Sequence, residues 1–357
     1  MVAPDGRCGR PILGISIGDP SGIGPEITLK ALSRKEIYER SIPVIYADRI
    51  VLEDALKVTG KDFTLRRIIE PGQALGSQGT VDFIEAGVLA GSGEYNYGVV
   101  SVKAGDAAFQ YVLKAINDAR AKKIAAVVTC PISKEAINLA GYNFAGHTEI
   151  FARYTETENY GMMLSSGIGK NSLNVIHVTT HVSLRAACDL ISRERVLKTI
   201  HLADLALRLM GRRERRIAVA GLNPHSSENG LFGEEEKAAI IPAVEDAKKQ
   251  GLDVSGPVPA DTVFAKALGG LYDIVVAMYH DQGHIPLKLA GFTFDNAAGA
   301  FSRMRGINTT IGLPIIRTSV DHGTAFDKAG KNQSSEESLL DAIDMAIILA
   351  GNLNKNL

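Results

Sequence analysis

The sequence predicts an α/β fold with mostly parallel sheets, because short apolar runs alternate with amphipathic helical segments along the chain. Three of the apolar runs are rich in β-branched residues and lead to a histidine, at 173–181, 217–225 and 273–280. Continuous apolar runs of this length are typical of strands buried on both faces of a parallel sheet. Since 357 residues exceed what one hydrophobic core usually supports, we expect two domains.

The individual elements follow this alternation from the N-terminus onwards. A strand at 13–18 leads through the glycine-dense turn 18–26 into a helix with Pro25 in its first turn, where the missing N–H costs nothing. Apolar periodicity then predicts strands at 42–47, 124–129 and 217–220 and helices at 104–122, 192–210, 234–250 and 336–350. Residues 291–305 are rich in glycine and alanine and predict a long mobile loop.

The domain boundaries are not marked by proline- or glycine-rich spacers, so we place them near residues 139 and 317. The first domain then comprises 11–139 and 318–357, and the second comprises 140–317. In this arrangement the C-terminal helix returns to the first domain, and both domains are α/β.

Composition and charge exclude several classes of protein. A net charge of −1 without a block of like charge gives no reason to expect a nucleic-acid partner or an acidic membrane surface. The first ten residues lack the apolar stretch of a secretory signal, and no run approaches the roughly 18 apolar residues of a membrane span. Cys8, Cys130 and Cys188 show no CxxC spacing, which favours reduced thiols and a cytoplasmic location.

Histidines beyond the ends of the predicted strands are the first candidate site. His181, His225 and His280 follow the three runs, and residues just past the carboxyl ends of strands line the ligand crevice in open α/β sheets. Three imidazoles are enough to hold a catalytic divalent ion, with zinc as the default and magnesium, manganese or cobalt left open. The alternative is three hydrogen-bonded structural histidines. His177, inside its strand, is predicted to be a core residue or a support for a ligand, and His201, in a helix, to be structural.

Two carboxylates stand close to these histidines in the sequence. Asp281 follows His280 directly, and Asp261 lies in the segment 256–262, at the start of a predicted helix. Either carboxylate is a candidate to polarise a substrate hydroxyl as a catalytic base. For Asp261, capping of the following helix is an equally simple interpretation.

A candidate anion site combines a helix start with cations elsewhere in the chain. His147 and Thr148 begin a predicted helix, and helix N-termini offer unpaired N–H groups and the positive end of the helix dipole. Lys288 and Arg317 are the candidate cations for a phosphate group. Lys134 is a further candidate, with a solvated helix face as the alternative.

The candidate cofactor site does not use a Rossmann fingerprint, since no GxGxxG follows a strand and the turn 18–26 has the wrong spacing. The loop 321–330, taken together with Gly-Ile-Gly-Pro-Glu at 22–26, resembles the isopropylmalate and isocitrate dehydrogenases, which bind NAD without a Rossmann fold. This resemblance implies a nicotinamide cofactor, NAD or NADP. The candidate cofactor-binding residues are Asp321, His322, Gly323, Thr324 and Asp327.

Four motifs taken together indicate one family, and the resemblance covers essentially the whole chain from Gly18 onwards. They are Gly-His-Thr-Glu at 146–149, Asn-Pro-His at 223–225, Tyr-His-Asp-Gln-Gly at 279–283 and Arg-Thr-Ser-Val-Asp-His-Gly-Thr-Ala at 317–325. The chain resembles the 4-hydroxythreonine-4-phosphate dehydrogenase (PdxA) family. The resemblance implies two α/β/α domains, similar to those of isocitrate dehydrogenase, with the active site in the cleft between them.

For the reaction, the resemblance implies NAD(P)-dependent oxidation of a 3-hydroxy acid that carries a 4-phosphate, followed by loss of CO₂. It implies that His181, His225 and His280 hold one divalent metal ion, in a site shared between the subunits of a homodimer. The residues implied to contact the substrate are His147, Thr148, Lys288, Asn308 and Arg317.

Residues 280–288 resemble the branch of the family that acts on 4-phosphorylated threonate or erythronate and yields dihydroxyacetone phosphate. Members of the pyridoxine pathway, which act on 4-hydroxythreonine 4-phosphate and yield 3-amino-2-oxopropyl phosphate, more often carry leucine in place of His284. We therefore expect an aldonate 4-phosphate in preference. The alternatives are a dehydrogenase of a carboxylated aromatic cis-dihydrodiol, an enzyme that transfers acyl groups to phosphate, and a non-catalytic sugar-phosphate-binding protein.

Overall fold

The computed structural model describes residues 9–91, 93–169, 172–296 and 300–353. The chain divides into two compact units, Met1–Glu158 with Leu313–Gly351 and Asn159–Gly312 with Asn352–Leu357. No helix of the described part is long and apolar enough to cross a membrane. Cys130 and Cys188 are free thiols, as the sequence predicts, while Cys8 lies outside the described residues.

Strands and helices alternate through most of the chain. The strands are β1 (Ile12–Ser16), β2 (Ile42–Tyr46), β3 (Thr64–Arg67), β4 (Thr80–Ile84), β5 (Ala126–Thr129), β6 (Gly161–Ser165), β7 (Asn174–His177), β8 (Ile217–Ala220), β9 (Val254–Val258), β10 (Ile274–Ala277), β11 (Phe292–Asp295), β12 (Ala300–Met304), β13 (Ile307–Ile311) and β14 (Arg317–Val320). The α-helices are α1 (Gly24–Leu32), α2 (Lys35–Arg40), α3 (Arg49–Thr59), α4 (Val102–Arg120), α5 (Lys134–Leu139), α6 (His147–Tyr154), α7 (Leu184–Asp189), α8 (Arg193–Leu209), α9 (Ile241–Lys249), α10 (Ala260–Leu268), α11 (His280–Gly291) and α12 (Glu337–Leu353).

The sheet of the first unit has the strand order β3-β4-β2-β1-β5-β14, and the pairs of neighbouring strands are parallel. Strands β2 and β5 are buried along their whole length, as expected for apolar strands covered on both faces. Because parallel strands end at the same edge, the turn after β1, the start of α5 and the loop after β14 meet at the carboxyl edge of this sheet.

The sheet of the second unit has the order β13-β6-β7-β10-β8-β9. Strand β6 is antiparallel to both of its neighbours, whereas β7, β10, β8 and β9 are parallel. The three histidine-bearing runs of the sequence are β7, β10 and β8, which lie side by side with every residue buried. The prediction of buried parallel strands is therefore confirmed.

The unit boundaries differ from those expected from the sequence. The first unit extends to Glu158 because Phe109 of α4 packs against the segment beyond residue 139: its ring stacks on Tyr142 at 3.7 Å between centroids and also contacts the rings of Phe144 and Tyr154. It resumes at Leu313 because β14 pairs with β5. No composition shift marks either point, so these boundaries depend on tertiary contacts.

Two local expectations are corrected. Residues 291–305, expected to be a mobile loop, contain the antiparallel strands β11 and β12. Alternating aromatic residues explain the pairing, since the rings of Phe294 and Phe301 meet edge to face at 5.3 Å. The helix expected over 234–250 begins as a π-helical turn at Glu236–Ile240 before α9.

Replacing Phe109 with alanine should lower the free energy of unfolding by about 3–5 kcal/mol, because a buried ring and its aromatic contacts are lost. Urea unfolding followed by circular dichroism measures the change. Val102→Ala, at a half-exposed position of the same helix, is the matched control and should change stability by less than about 0.5 kcal/mol. Equal effects of the two substitutions would contradict the packing described for Phe109.

Candidate active site

A pocket of the second unit lies beyond the carboxyl ends of β7 and β10. Its volume is about 320 Å³, and the polar side chains in its wall include His181, His280 and Asp281. His181 follows β7 with a left-handed backbone (φ 51°), which is unusual for a residue other than glycine. The rings of His181 and His280 are 5.8 Å apart between centroids, so the structure brings together two of the three predicted metal ligands and one predicted catalytic carboxylate.

His280 is the first residue of α11, and its neighbour sets the orientation of its ring. The ring Nδ1 lies 2.7 Å from Oδ1 of Asp281. An Nδ1–H donated to a carboxylate leaves Nε2 as the atom that accepts a proton or binds a metal, which is the usual arrangement around metal-binding histidines.

Two further histidines pack behind His280. His284, one helical turn later, stacks on the His280 ring at 3.6 Å with 11° between the planes, and His177 lies 4.8 Å from His284 between centroids. His284 is buried, and its Nδ1 is 3.0 Å from the carbonyl oxygen of His280. The sequence analysis used His284 only as a marker of the substrate branch and did not predict its packing on His280, although the i,i+4 spacing of the two residues places them on one helix face.

Burial keeps both of these histidines neutral. Desolvation, with a smaller effect of the neighbouring His284 charge, lowers the pKa of His177 to about 3. Desolvation and the neighbouring His280 lower the pKa of His284 to about 4. A methyl group on Gly283 would lie 2.4 Å from Nε2 of His177, so only glycine allows α11 to approach this strand so closely. His177 is therefore buried in the core, while its contact with His284 behind His280 leaves the other predicted role, support of a ligand, open.

His225 lies after β8, in a turn where residues 225–229 are all left-handed. Its ring contacts Phe232 at 6.3 Å between centroids. Among the residues the structure describes, no group of three or more histidine, cysteine, aspartate or glutamate side chains converges on a point that would hold a metal ion. Within one chain, the predicted ligand set is therefore gathered only for His181 and His280.

The remaining predicted residues of this unit are placed as follows. Asp261 is exposed in the first turn of α10, whose N-cap position is Pro259, so it does not cap the helix through its side chain. Lys288 is exposed on α11, with its Nζ 5.6 Å from the centre of the Phe292 ring. Asn308 lies in β13, paired with Leu164 of β6.

Arg317 is the most deeply buried cation of the candidate residues in the first unit. It begins β14, is 2% exposed, and donates from Nη2 to Oγ1 of Thr129 at 3.0 Å. Its guanidinium also lies 5.7 Å from the centre of the Phe151 ring. Burial lowers the pKa of Arg317 to about 9, although the charge of Glu149 opposes this shift. A buried guanidinium of this kind is strongly stabilised by an anion.

His147 and Thr148 begin α6, as the sequence predicts. Nε2 of His147 is buried and makes no hydrogen bond to the residues that the structure describes. Desolvation, followed by the nearby charge of Arg317, lowers the pKa of His147 well below its usual value. The neutral His147 ring and the N–H groups at the start of α6 therefore lie near the Arg317 charge. The positive end of the helix dipole favours an anion at this position. Lys134, by contrast, is exposed at the start of α5.

The predicted cofactor loop is attached to the helix that follows β1. The backbone N–H of Ile23 donates to the carbonyl of Thr324 at 3.1 Å, and the carboxylate of Glu26 accepts from the backbone N–H groups of Gly330 and Asn332. This contact joins the two sequence segments whose combination indicated a nicotinamide dehydrogenase. Within the loop, Asp321 follows β14 directly, and the carbonyl of Thr324 accepts the Ile23 hydrogen bond. Desolvation lowers the pKa of His322. The other two residues, Gly323 and Asp327, are exposed.

Asp19 is a buried carboxylate that sequence reasoning missed. It is fully buried in the turn after β1, where Oδ1 accepts from the backbone N–H of Ser21 at 2.8 Å. Desolvation raises the pKa of Asp19 to about 6, against the effect of backbone hydrogen bonds from Ser21 and Ser133. The Gly-Asp-Pro sequence directly after a strand was the available signal.

The pH dependence of stability should reveal the buried histidine. In the unfolded chain a histidine binds a proton near pH 6.5, whereas folded His177 stays neutral down to about pH 3, so it makes the protein less stable as the pH falls through this window. His177→Leu should therefore reduce the slope of unfolding free energy against pH by up to about 1.4 kcal/mol per pH unit.

Urea unfolding of metal-free protein at pH 7, 6 and 5 measures this slope. The same substitution at His201, exposed on α8, controls for the loss of one histidine. A slope that is identical in the wild type and His177→Leu would contradict the burial of a neutral ring.

Comparison with known proteins assigns the chain to a family. The family model described as pyridoxal phosphate biosynthetic protein PdxA matches residues 39–346. A protein from Oceanobacillus iheyensis, named "Putative D-threonate 4-phosphate dehydrogenase", is 46% identical over 343 residues, which cover 96% of this chain and 98% of the relative. The crystal structure of a 4-hydroxythreonine-4-phosphate dehydrogenase from Burkholderia phymatum is 41% identical, with a TM-score of 0.80, and covers 96% of this chain and 99% of its own.

More distant structures define the breadth of the fold. A terephthalate 1,2-cis-dihydrodiol dehydrogenase from Burkholderia xenovorans is 29% identical, with a TM-score of 0.65 over 95% of this chain and 98% of its own. A β-decarboxylating dehydrogenase from Thermococcus kodakarensis, 13% identical with a TM-score of 0.50 over 96% of this chain and 83% of its own, shares the fold. The predicted α/β fold class and the predicted class of dehydrogenases are confirmed. The chain belongs to the PdxA family.

Proposed function

We propose that this protein is an NAD(P)-dependent, divalent-metal-assisted dehydrogenase that oxidises and decarboxylates a 4-phosphorylated 3-hydroxy acid. We propose a phosphorylated substrate because Arg317 is buried beside the neutral His147 at the start of α6. A buried cation with hydrogen-bond donors around it favours a doubly charged phosphate over a neutral group. Thr148, Lys288 and Asn308 complete the proposed set of substrate contacts.

The donor set around His280 fits a divalent metal ion. Asp281 on Nδ1 leaves Nε2 available, and His181 provides a second imidazole on the same pocket. We assign His181, His225 and His280 as the ligands, with zinc, magnesium, manganese or cobalt as candidates. When bound, such an ion supplies Lewis-acid stabilisation of the negative charge that develops on the substrate oxygen.

The ligands are shared between two subunits in this proposal. Within one chain the structure does not gather His225 with His181 and His280. An exposed apolar surface that begins on α11, the helix of His280, is suited to pack against a second copy. This surface comprises Ile285 and Leu289, one turn apart on α11, and Phe294 and Phe301 on the β11–β12 hairpin, each at least half exposed. Exposed apolar groups of this kind mark interaction sites.

The chain's own residues have separate tasks. Asp281 orients His280, and Asp261, exposed in the first turn of α10, is the candidate base that takes the proton of the substrate hydroxyl. Asp321, His322, Gly323, Thr324 and Asp327 form the proposed cofactor loop, held by its contact with α1. These residues would hold NAD or NADP, which would supply the hydride acceptor of the oxidation. The products are CO₂ and a phosphorylated ketone.

An aldonate 4-phosphate is the preferred substrate, with 4-hydroxythreonine 4-phosphate as the second member of the same class. His284 supports this preference because it is buried against His280 and is part of the site. A carboxylated aromatic cis-dihydrodiol is the alternative substrate, favoured by the 29% identical dihydrodiol dehydrogenase structure. The buried Arg317 and the His147 helix start favour the phosphorylated class, and the dehydrogenase relatives favour catalysis over a sugar-phosphate-binding role.

The reaction is tested by following the absorbance of reduced nicotinamide with NAD and with NADP. The purified protein, with added divalent ion, is offered 4-phosphothreonate, 4-phosphoerythronate, 4-hydroxythreonine 4-phosphate and a carboxylated aromatic cis-dihydrodiol in parallel. We expect turnover of an aldonate with dihydroxyacetone phosphate as product, loss of activity with chelator and recovery with divalent ion. Activity that is indifferent to chelator would overturn the metal assignment, and turnover of the dihydrodiol alone would overturn the substrate class.

Arg317→Ala should lower kcat/KM for the phosphorylated substrate by about 10–100-fold, because a charge-assisted hydrogen bond contributes roughly 1.5–3 kcal/mol. Lys288→Ala should act in the same direction. The dephosphorylated acid should lose far less in both variants, and Arg153→Ala, exposed on α6, is the matched control. Equal losses on the two substrates would show that Arg317 does not bind the phosphate.

A further inference from the structure

The turn that carries His225 has a backbone that the sequence alone does not favour. Residues 225–229 have φ values of 52°, 53°, 65°, 44° and 60°, and none of them is glycine. Left-handed backbone is strained for such residues, and a run of five persists only where surrounding contacts hold it. Oγ of Ser226 is also buried and makes no hydrogen bond to the residues described, so the turn does not stabilise itself through this side chain.

The turn has backbone hydrogen bonds of its own, such as that from the N–H of Ser226 to the carbonyl of Asn223, and one buried carboxylate holds the backbone that leads into it. Glu236, fully buried, accepts from the backbone N–H of Leu222 at 2.8 Å and from that of Asn223 at 2.7 Å through Oε1. Its Oε2 accepts from Nδ2 of Asn223 at 2.8 Å. Nδ2 also donates to Glu235, at 2.7 Å. The backbone immediately before His225 is therefore fixed by three hydrogen bonds to a single side chain.

The position of Glu236 follows from the unusual start of its helix. Glu236–Ile240 is a π-helical turn, and such turns inside helices frequently occur at functional sites. Burying a carboxylate is costly unless its oxygens are hydrogen-bonded, and Leu222 and Asn223, just before the turn, supply donors to both oxygens. The role of the buried Glu236 carboxylate is therefore to hydrogen-bond the segment before the turn.

A second link joins this turn to the strand end that carries His280. Gln282 of α11 donates from Nε2 to the carbonyl of Gly221 at 2.7 Å, and its Oε1 accepts from the backbone N–H of Met278 at 2.7 Å. Gly221 precedes the residues held by Glu236, so the backbone at the ends of β8 and β10 is connected by one buried amide. The segment 221–223, which leads into the His225 turn, is thereby held both by Gln282 and by Glu236.

We infer that Glu236 is a positioning residue for the metal site: it fixes the backbone that leads into the left-handed turn and so sets where the turn presents His225. This inference rests on the proposed role of His225 as a metal ligand. Hydrogen bonds that orient a ligand typically contribute 10–100-fold to metal affinity. No contact of Glu236 with substrate or metal is required.

The test is the affinity of the metal-free, full-length protein for Zn²⁺, measured by competition with a chromogenic chelator. Glu236→Gln keeps the shape of the side chain, but its NH₂ group must face a donor of Leu222 or Asn223. We expect its Zn²⁺ affinity to fall 10–100-fold, and saturating Zn²⁺ to restore kcat toward the wild-type value. Glu234→Gln, exposed two residues earlier, is the matched control and should bind like the wild type.

Two comparisons make the outcome decisive. If Glu236→Gln is folded by circular dichroism and binds Zn²⁺ like the wild type, the inference is overturned. If Glu236→Gln does not fold, Asn223→Ala, which removes only the side-chain part of the network, is measured instead, and wild-type affinity there would equally overturn it. His225→Ala distinguishes failure of the proposed ligand set from failure of the positioning role. Wild-type Zn²⁺ affinity in His225→Ala contradicts the ligand set. Loss of Zn²⁺ affinity in His225→Ala but not in Glu236→Gln contradicts only the positioning role.

Discussion

The parallel pairing of β10 with β7 on one side and β8 on the other is the constraint on which the second unit depends. Parallel strands in register end at a common edge, so residues that follow them in sequence are brought to the same side of the sheet. This pairing turns three distant sequence positions into neighbouring strand ends. The strands themselves are fully buried, so their apolar side chains set the register and leave the polar chemistry to the residues beyond them.

Burial also determines the state of the groups around the pocket. His177 and His284 stay neutral because a charged imidazole is poorly solvated in the interior, and their stacking behind His280 restricts that ring. In the first unit the same effect acts on a cation: Arg317 is held with its charge poorly solvated beside a neutral His147. The two units therefore present different chemistry, imidazole donors in one and a buried guanidinium in the other.

Much of the fold was predictable because its signals are local. The apolar runs of β7, β8 and β10 identify buried parallel strands, and the turn after β1 identifies a strand-to-helix connection. The hairpin β11–β12 was missed because glycine and alanine around it resemble a loop, while the period-two alternation of Phe292, Phe294 and later Phe301 is short. The unit boundary at Glu158 was missed because it depends on ring stacking between Phe109 and residues more than thirty positions away, which no composition shift reveals.

The sequence by itself determined the fold class, the family and which residues are candidates for chemistry, because strand runs and motifs such as Gly-His-Thr-Glu are contiguous. Only the tertiary structure decided how these candidates are supported. Examples are His284 stacked on His280, Asp19 with its backbone N–H bonded to the Pro131 carbonyl, and Glu236 bonded to Asn223 before the His225 turn. The linear sequence does not show these contacts. The physical reason is that burial and hydrogen-bond partnership depend on which elements pack together. A residue's type limits what it is able to do, and its environment selects among those possibilities.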